Sequence, residues 1–300
     1  MNILFKPLIS ILTTATLLLV LAVPAFAQRD IGPAYIKGSR EVIPVVVRSR
    51  DANALNILKT AFSAHGKYRV VASMQEASFA IQIDPIGTSH SSLRITSGVP
   101  EQEMHNANAQ GTSTRNSILN AVDMAIRKTS GLPGFFGGKI AYMGEAGRAM
   151  EVYARDFLFG EGLKLTNHNV EALRPRWSPD GNYIVYTSYI SGFPNIRRID
   201  IRGQRSEKFV SFKGSNMSAR YSPDGSRLAM VLTGPGNADI YVGTNQAKGL
   251  NRIVNSSALE ATPCWSPDGR DIVFASDTNG GLALFRGSAS GGQYSHIPTQ

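Results

Sequence analysis

Apolar positions along the chain follow two rhythms, and the change between them falls near residue 138. Before it, strand-like and helix-like patterns alternate. Residues 41–47 (EVIPVVV) are a β-branched run that predicts a strand. In DANALNILKTAFSAHG, Asp51 suits an N-cap, Leu55, Leu58 and Phe62 share one helical face, and Gly66 suits a C-cap. YRVVA (68–72) and SFAIQID (78–84) read as strands, the second with Phe79, Ile81 and Ile83 on one face. SSLRITS reads as another, followed by a turn at Gly98-Val99-Pro100. TSTRNSILNAVDMAIRKTSG predicts the clearest helix, with Ile118, Leu119, Val122 and Ile126 as its stripe and Gly131 as its stop. Residues 28–135 therefore read as a small N-terminal α/β domain.

After residue 138 the helical rhythm disappears and short strands alternate with turn residues. NYIVYTS, NIRRIDI, SEKFVSF and GSNMSARYS predict four strands in one unit; SRLAMVL, ADIYVG, GLNRIVN and LEATPCWS repeat the scheme. A further unit precedes these (GKIAYMG, MEVYARD, GLKLTNH, EALRPRWS), and a last one begins with RDIVFAS, GLALFRG and QYSHIPT. Three segments punctuate the series: Trp177-Ser-Pro179-Asp180-Gly181, Tyr221-Ser-Pro223-Asp224-Gly225 and Trp265-Ser-Pro267-Asp268-Gly269, each 44 residues from the next. Four short antiparallel strands at such a period predict a β-propeller, because one such sheet cannot bury both faces without neighbours. Pro presets φ, Asp bonds the local backbone and Gly supplies positive φ, so the motif predicts a turn. It is expected to hand the outermost strand of one blade to the innermost strand of the next, with the aromatic wedged between blades. The class is α+β multidomain, with residues 136–300 as propeller repeats.

The first 27 residues stand apart. Lys6 precedes an apolar run from Leu8 to Val23, and Ala25-Phe26-Ala27 fits signal cleavage after Ala27. Against a membrane anchor, the run is near the lower length limit and Ser10, Thr13, Thr14 and Thr16 interrupt it. An exported protein, not membrane-spanning after cleavage, is expected. That location argues against nucleic acid as the partner of the +9 formal charge, and no Lys/Arg run exceeds two residues. Cys264, the single cysteine, cannot form an internal disulfide, and its strand-like context suggests a buried small apolar residue.

Candidate chemistry is thin. GLPGFFGG before Lys139 resembles a phosphate loop, but Pro133 and Ile140 stand where glycine and a hydroxyl residue are needed. No Gly-x-Ser-x-Gly occurs; GSASG has Ala289 at its centre. His65, His90, His105, His168 and His296 lack metal-ligand spacing, and His168 reads as a surface turn residue. Asp180, Asp224 and Asp268 each have a turn to stabilise. No catalytic residue, metal or cofactor is called for.

The WSPDG…IVYTS…G…I…D pattern resembles the repeat of the TolB-type propellers, and KTSGLPGFFGGKIAYM resembles the family's junction between its small α/β domain and first blade. The resemblance is good over residues 110–300 and only architectural over 28–110. It implies a non-enzymatic periplasmic adaptor of the Tol-Pal cell-envelope machinery. It further implies Pal, TolA and other envelope proteins as partners, and a role in outer-membrane integrity and constriction at division. The propeller would bind Pal, and the N-terminal region, beginning QRDIGPAYIKGSR, would reach TolA. The alternative is a periplasmic propeller that takes an unrelated carbohydrate or peptide. The family has six blades, whereas the 163 residues from Gly138 make about 3.7 units of 44. The chain is read as C-terminally incomplete, an open arc with an exposed edge strand, the alternative being a closed four-bladed variant. Strand alternation puts two sets of loops on one face. Tyr189, Phe193, Asn237, Asp277 and Asn279 come from the first, and Ser215, Asn216, Ser218, Glu260 and Thr262 from the second. Partner contacts are expected there, with Asn216 and Glu260 replaceable without unfolding.

Overall fold

The computed structural model describes residues 42–298 except Pro235. The signal-peptide reading and the N-terminal segment expected to reach TolA lie outside these residues. Residues from Val42 onward cluster as one compact unit.

Its first layer is a five-stranded sheet in the order β2-β1-β3-β4-β5. β1 (Ile43–Arg48) pairs in parallel with β2 (Tyr68–Val70) and β3 (Phe79–Ile86); β4 (His90–Ser97) and β5 (Gln102–Gln110) continue as an antiparallel meander. Two helices supply the apolar cover. Helix α1 (Ala52–Ala64) starts where the Asp51 carboxylate accepts from Ala54 N–H at 2.7 Å, and buries Ile57, Leu58, Ala61 and Phe62. It ends on His65, one residue before the expected Gly66. Helix α2 (Thr114–Ser130) is capped by Ser113 and ends at Gly131, whose φ of 72° is left-handed. Its buried stripe includes Ile118, Leu119, Val122 and Ile126, which join Val45, Ile81, Ile83, Leu93 and Ile95 in one core.

β5 has no counterpart among the predicted strands. It is an edge strand, and apart from Ala109 its residues are exposed or half-buried, so no apolar alternation marks it.

The glycine-rich junction that imitates a phosphate loop is a packing device. The Asp123 carboxylate of α2 accepts from Phe136 N–H and Gly137 N–H, both at 2.8 Å. A Cβ on Gly134 or Gly137 would overlap Asp123 or Asn120, so only glycine lets the backbone lie this close to the helix. Burial raises the Asp123 pKa, and the backbone donors partly oppose that rise. Arg115 of α2 then pairs with Asp156 at 2.9 Å, joining the helix to the first blade.

Four blade sheets follow. β6 (Lys139–Ala146), β7 (Ala149–Asp156) and β8 (Gly162–Lys164) form a three-stranded sheet. The next sheet contains β9 (Ala172–Trp177), β10 (Tyr183–Ser188), β11 (Asn195–Asp200) and β12 (Arg205–Val210). β13 (Asn216–Tyr221), β14 (Arg227–Leu232), β15 (Asp239–Thr244) and β16 (Asn251–Arg252) make the third. β17 (Glu260–Trp265), β18 (Asp271–Ser276), β19 (Ala283–Ser288) and β20 (Tyr294–Ile297) make the last.

This order corrects the place of the repeated turn. Trp177 faces Ile184 within one antiparallel pair, as Tyr221 faces Leu228 and Trp265 faces Ile272. The Ser-Pro-Asp-Gly segment therefore closes a hairpin inside a blade and does not pass the chain between blades. The passages are residues 165–171, 211–215 and 253–259. A period fixes repeat length but not phase, and the strongest turn signal in the repeat does not mark its boundary.

The turn is built alike three times. Ser178 N–H donates to Tyr183 C=O at 2.8 Å, Tyr183 N–H returns to Ser178 Oγ at 2.9 Å, and Asn182 N–H donates to Asp180 Oδ1 at 3.1 Å. Ser222, Asp224 and Arg227 reproduce this geometry, as do Ser266, Asp268 and Asp271. Gly181, Gly225 and Gly269 have φ of 71°, 72° and 69°. The serine hydroxyl and local donors hold all three aspartates below the usual carboxylate range, Asp224 at about 2.

The aromatics do lie between sheets. Trp265 packs with Val231, Ile240 and Val242 of one blade and Ile272, Phe274 and Phe285 of the next. Its Nε1–H donates to Arg220 C=O at 2.9 Å, and the Arg227 guanidinium stands 4.7 Å from its ring centre. Tyr221 joins Val185, Ile196 and Val210 to Leu228, Met230 and Leu232.

Asp123→Ala strands two partly buried amides and should cost about 1–3 kcal/mol in urea unfolding. Asp224→Asn should lower the melting temperature at neutral pH. The folded pKa is depressed from 3.8 to about 2, so the carboxylate's contribution is present above the unfolded value and lost as pH falls through the folded one. Melts of the two proteins should therefore converge between about pH 4 and pH 2.

Candidate functional site

The first strands β9, β13 and β17 lie side by side, and each carries the same irregularity. Arg174, Ser218 and Thr262 adopt left-handed φ of 55°, 56° and 51°, and pairing with the next strand shifts register around them. A bulge of this kind re-aims the side chains that follow. Arg176, Arg220 and Cys264 occupy equivalent positions two residues further on. Cys264 is exposed, contrary to the expectation of a buried thiol, and Arg220 Nη1 lies 2.7 Å from its Sγ. Burial lowers the Arg176 pKa, and the neighbouring Arg220 and Arg174 charges add to that.

The end of the blades opposite the Ser-Pro-Asp-Gly turns has a different character. Ile190, Phe193, Phe212, Leu259 and Leu282 are exposed there, Phe193 at 71% and Leu282 at 68%. Hydrogen bonds from Asn216 N–H to Pro194 C=O and from Glu260 N–H to Ala238 C=O align the corresponding ends of successive blades. Several expected contact residues stand at this end. Tyr189 is half-buried, and its N–H donates to Glu171 C=O. Asp277 and Asn279 are exposed, Asp277 also accepting from Leu259 N–H. Ser215 is half-buried, its N–H held by Thr233 Oγ1. Ser218 and Thr262 belong to the bulges, on the row of first strands.

Asn216 and Glu260 are placed differently from expectation: they are 0% and 1% exposed. Asn216 accepts from Phe212 N–H and donates to Phe212 C=O and Gly214 C=O, bracing the passage between two blades. Glu260 accepts from Ser256 Oγ at 2.7 Å and Ser276 Oγ at 3.2 Å. Its pKa is raised by burial and by the adjacent buried Asp239, which pairs with Arg252 at 2.6 Å. Replacing this pair together would disturb two blade junctions, so it does not isolate a binding effect. His168 is likewise not a plain surface residue: it stacks on Tyr186 and its Nε2 lies 2.8 Å from that hydroxyl. Burial lowers its pKa. Asp180, Asp224 and Asp268 each serve their own turn, and no group of three or more metal-ligating side chains converges among the described residues.

The sequence reading missed both the arginines and the exposed apolar end. Superposing the three repeats on their aromatics would have put Arg176 and Arg220 in one column, 44 residues apart.

The model of the TolB beta propeller domain matches residues 126–300. The chain belongs to this family. The Tol-Pal system protein TolB of Bordetella pertussis is 30% identical over 233 residues, covering 76% of this chain and 53% of that protein. Its counterpart in Bordetella parapertussis gives the same values. The chain thus spans about half the length of the curated TolB relatives it matches. The crystal structure of TolB from Acinetobacter baumannii shares the fold, with a TM-score of 0.74 at 19% identity over 86% of this chain and 72% of that one. No helix among the described residues of this TolB-family chain is long and apolar enough to cross a membrane.

Glu260 supplies a pH prediction. A carboxyl whose folded pKa is raised destabilises the fold once ionised; the stability it provides when protonated is complete below the unfolded value and lost as pH rises through the folded one. Glu260→Gln keeps an acceptor for Ser256 and Ser276 and replaces the carboxylate beside Asp239 with a neutral amide that can donate to it. The variant should melt higher than the parent at neutral pH, with the advantage vanishing on acidification below about pH 4.

Proposed function

We propose that the protein is a non-enzymatic periplasmic adaptor of the Tol-Pal system, that its blades bind Pal and that its N-terminal region engages TolA. In this reading it supports outer-membrane integrity and envelope constriction at division. Membership of the TolB propeller family and relatives named as Tol-Pal system proteins support the system. The observation that carries a docking role is the row of exposed apolar side chains at one end of successive blades, from Ile190 and Phe193 through Phe212 and Leu259 to Leu282. Large apolar side chains exposed together at one end of a domain mark a protein-binding face when they are numerous. Tyr189, Asp277 and Asn279 stand at the same end.

Capture of Pal by the tagged protein tests the reading. Phe193→Ser with Leu282→Ser removes two exposed anchors and should weaken capture at least about tenfold, in the range of interface hot spots. The melting temperature should stay within about 2 °C of the parent, as expected for exposed positions. No capture by the parent protein would reject the Tol-Pal assignment in favour of another ligand, and equal capture by the variant would reject this face.

A further inference from the structure

The row of first strands carries a charge arrangement that an adaptor fold does not require. Arg174 and Arg176 of β9 and Arg220 of β13 line a small cavity of about 40 Å³ that is open to solvent, together with Ser218, Thr262 and Pro263. No carboxylate forms an ion pair with any of the three among the described residues, whereas Arg115, Arg198, Arg252 and Arg286 all have one. We propose that these three arginines form a receptor for a compact oxyanion, a carboxylate or phosphate-type group. The proposal does not depend on the Tol-Pal reading.

Each guanidinium is tethered by a single contact. Arg174 Nη1 donates to Ser218 Oγ at 2.8 Å, Arg176 Nη1 to Pro175 C=O at 3.0 Å, and Arg220 Nη1 meets Cys264 Sγ at 2.7 Å. A guanidinium has five N–H donors, so most remain for a ligand. The tethers hold the groups in place and reduce the ordering cost of binding. Like charges around one small cavity repel, and the lowered Arg176 pKa reflects that crowding as well as burial. An anion would relieve the repulsion and accept forked hydrogen bonds, the geometry in which arginine recognises planar and tetrahedral oxyanions. In the third repeat the equivalent positions are Thr262 and Cys264, so one wall is uncharged and offers a hydroxyl. The cavity is small and open to solvent, so either a free anion or one anionic group of a larger ligand can reach the three guanidinium groups.

Calorimetric titration of the whole protein in low-chloride buffer tests this, with inorganic phosphate as one probe and an acetylated, amidated tetraglutamate peptide as the other. Saturable one-to-one binding is expected that weakens as salt rises. Arg176→Gln and Arg220→Gln should each weaken it at least about tenfold, the scale of one lost charge-assisted hydrogen bond. Arg69→Gln, a matched charge loss at an exposed position of β2, should leave it unchanged. Binding of phosphate alone assigns the site to free anions; peptide binding that phosphate displaces assigns it to acidic side chains. Absence of binding by both probes, or equal binding by both arginine variants, overturns the proposal. Using two independent variants keeps the result readable if one fails to fold, since the Tol-Pal partner is not part of the measurement.

Discussion

A four-stranded antiparallel sheet has two faces to cover, and in this protein each blade covers a face only by packing on the next. Trp265 shows how the contact is fixed. Its ring is inserted between two sheets, its indole N–H reaches back to Arg220 C=O, and Arg227 lies across the ring. The Ser-Pro-Asp-Gly turn follows the aromatic directly and sets its height by fixing where the first strand ends. The rigid turn and the wedge are therefore one device. The turn holds register within a blade, and the aromatic transmits that register to its neighbour. Fully burying a large apolar side chain contributes about 1.5–3 kcal/mol, so a row of such contacts outweighs the short ladders of two to eight residue pairs.

The same constraint explains where polar residues are buried. At two blade junctions the start of a third strand meets the start of the next first strand, and the backbone changes sheet there. Asn195 and Asn216 occupy one such junction, and Asp239 and Glu260 the next. Asn216 satisfies the passage with three hydrogen bonds and no charge. Asp239 and Glu260 make the equivalent junction from two carboxylates and one arginine, and burial together with the second carboxylate raises the Glu260 pKa. One structural task is thus solved with different electrostatic cost in successive repeats.

Local signals in the sequence were legible where they recur or are periodic. The helix stripe at Ile118, Leu119, Val122 and Ile126, the Asp51 cap and the triple turn all appear as their residue types require. What could not be read was relational. β5 has no apolar alternation and buries only Ala109, so its pairing with β4 is what makes it a strand. The blade phase depends on which strand pairs with which, and a period carries no phase. Burial of Asn216 and Glu260 was hidden because loop-edge polar residues look alike in sequence whether they face solvent or brace a crossing. The arginine cavity was hidden for a related reason: Arg174 and Arg220 are 46 positions apart and meet only through the side-by-side placement of β9 and β13.

Comparing the repeats with one another separates scaffold from function without reference to any other protein. Serine, proline, aspartate and glycine of the turn are identical three times, and an aromatic always precedes them. These positions answer to backbone φ, hydrogen-bond closure and inter-sheet packing, which every blade shares. Among the positions that differ are the bulges of the first strands and the residues two places further on: Arg174, Ser218 and Thr262; Arg176, Arg220 and Cys264. A repeat that only had to stack would gain nothing by varying residues at exposed bulges, and clustering unpaired arginines there works against stability. The variation is instead what a single asymmetric ligand group would demand of a repeated frame, because neighbouring blades must present different chemistry to the same point.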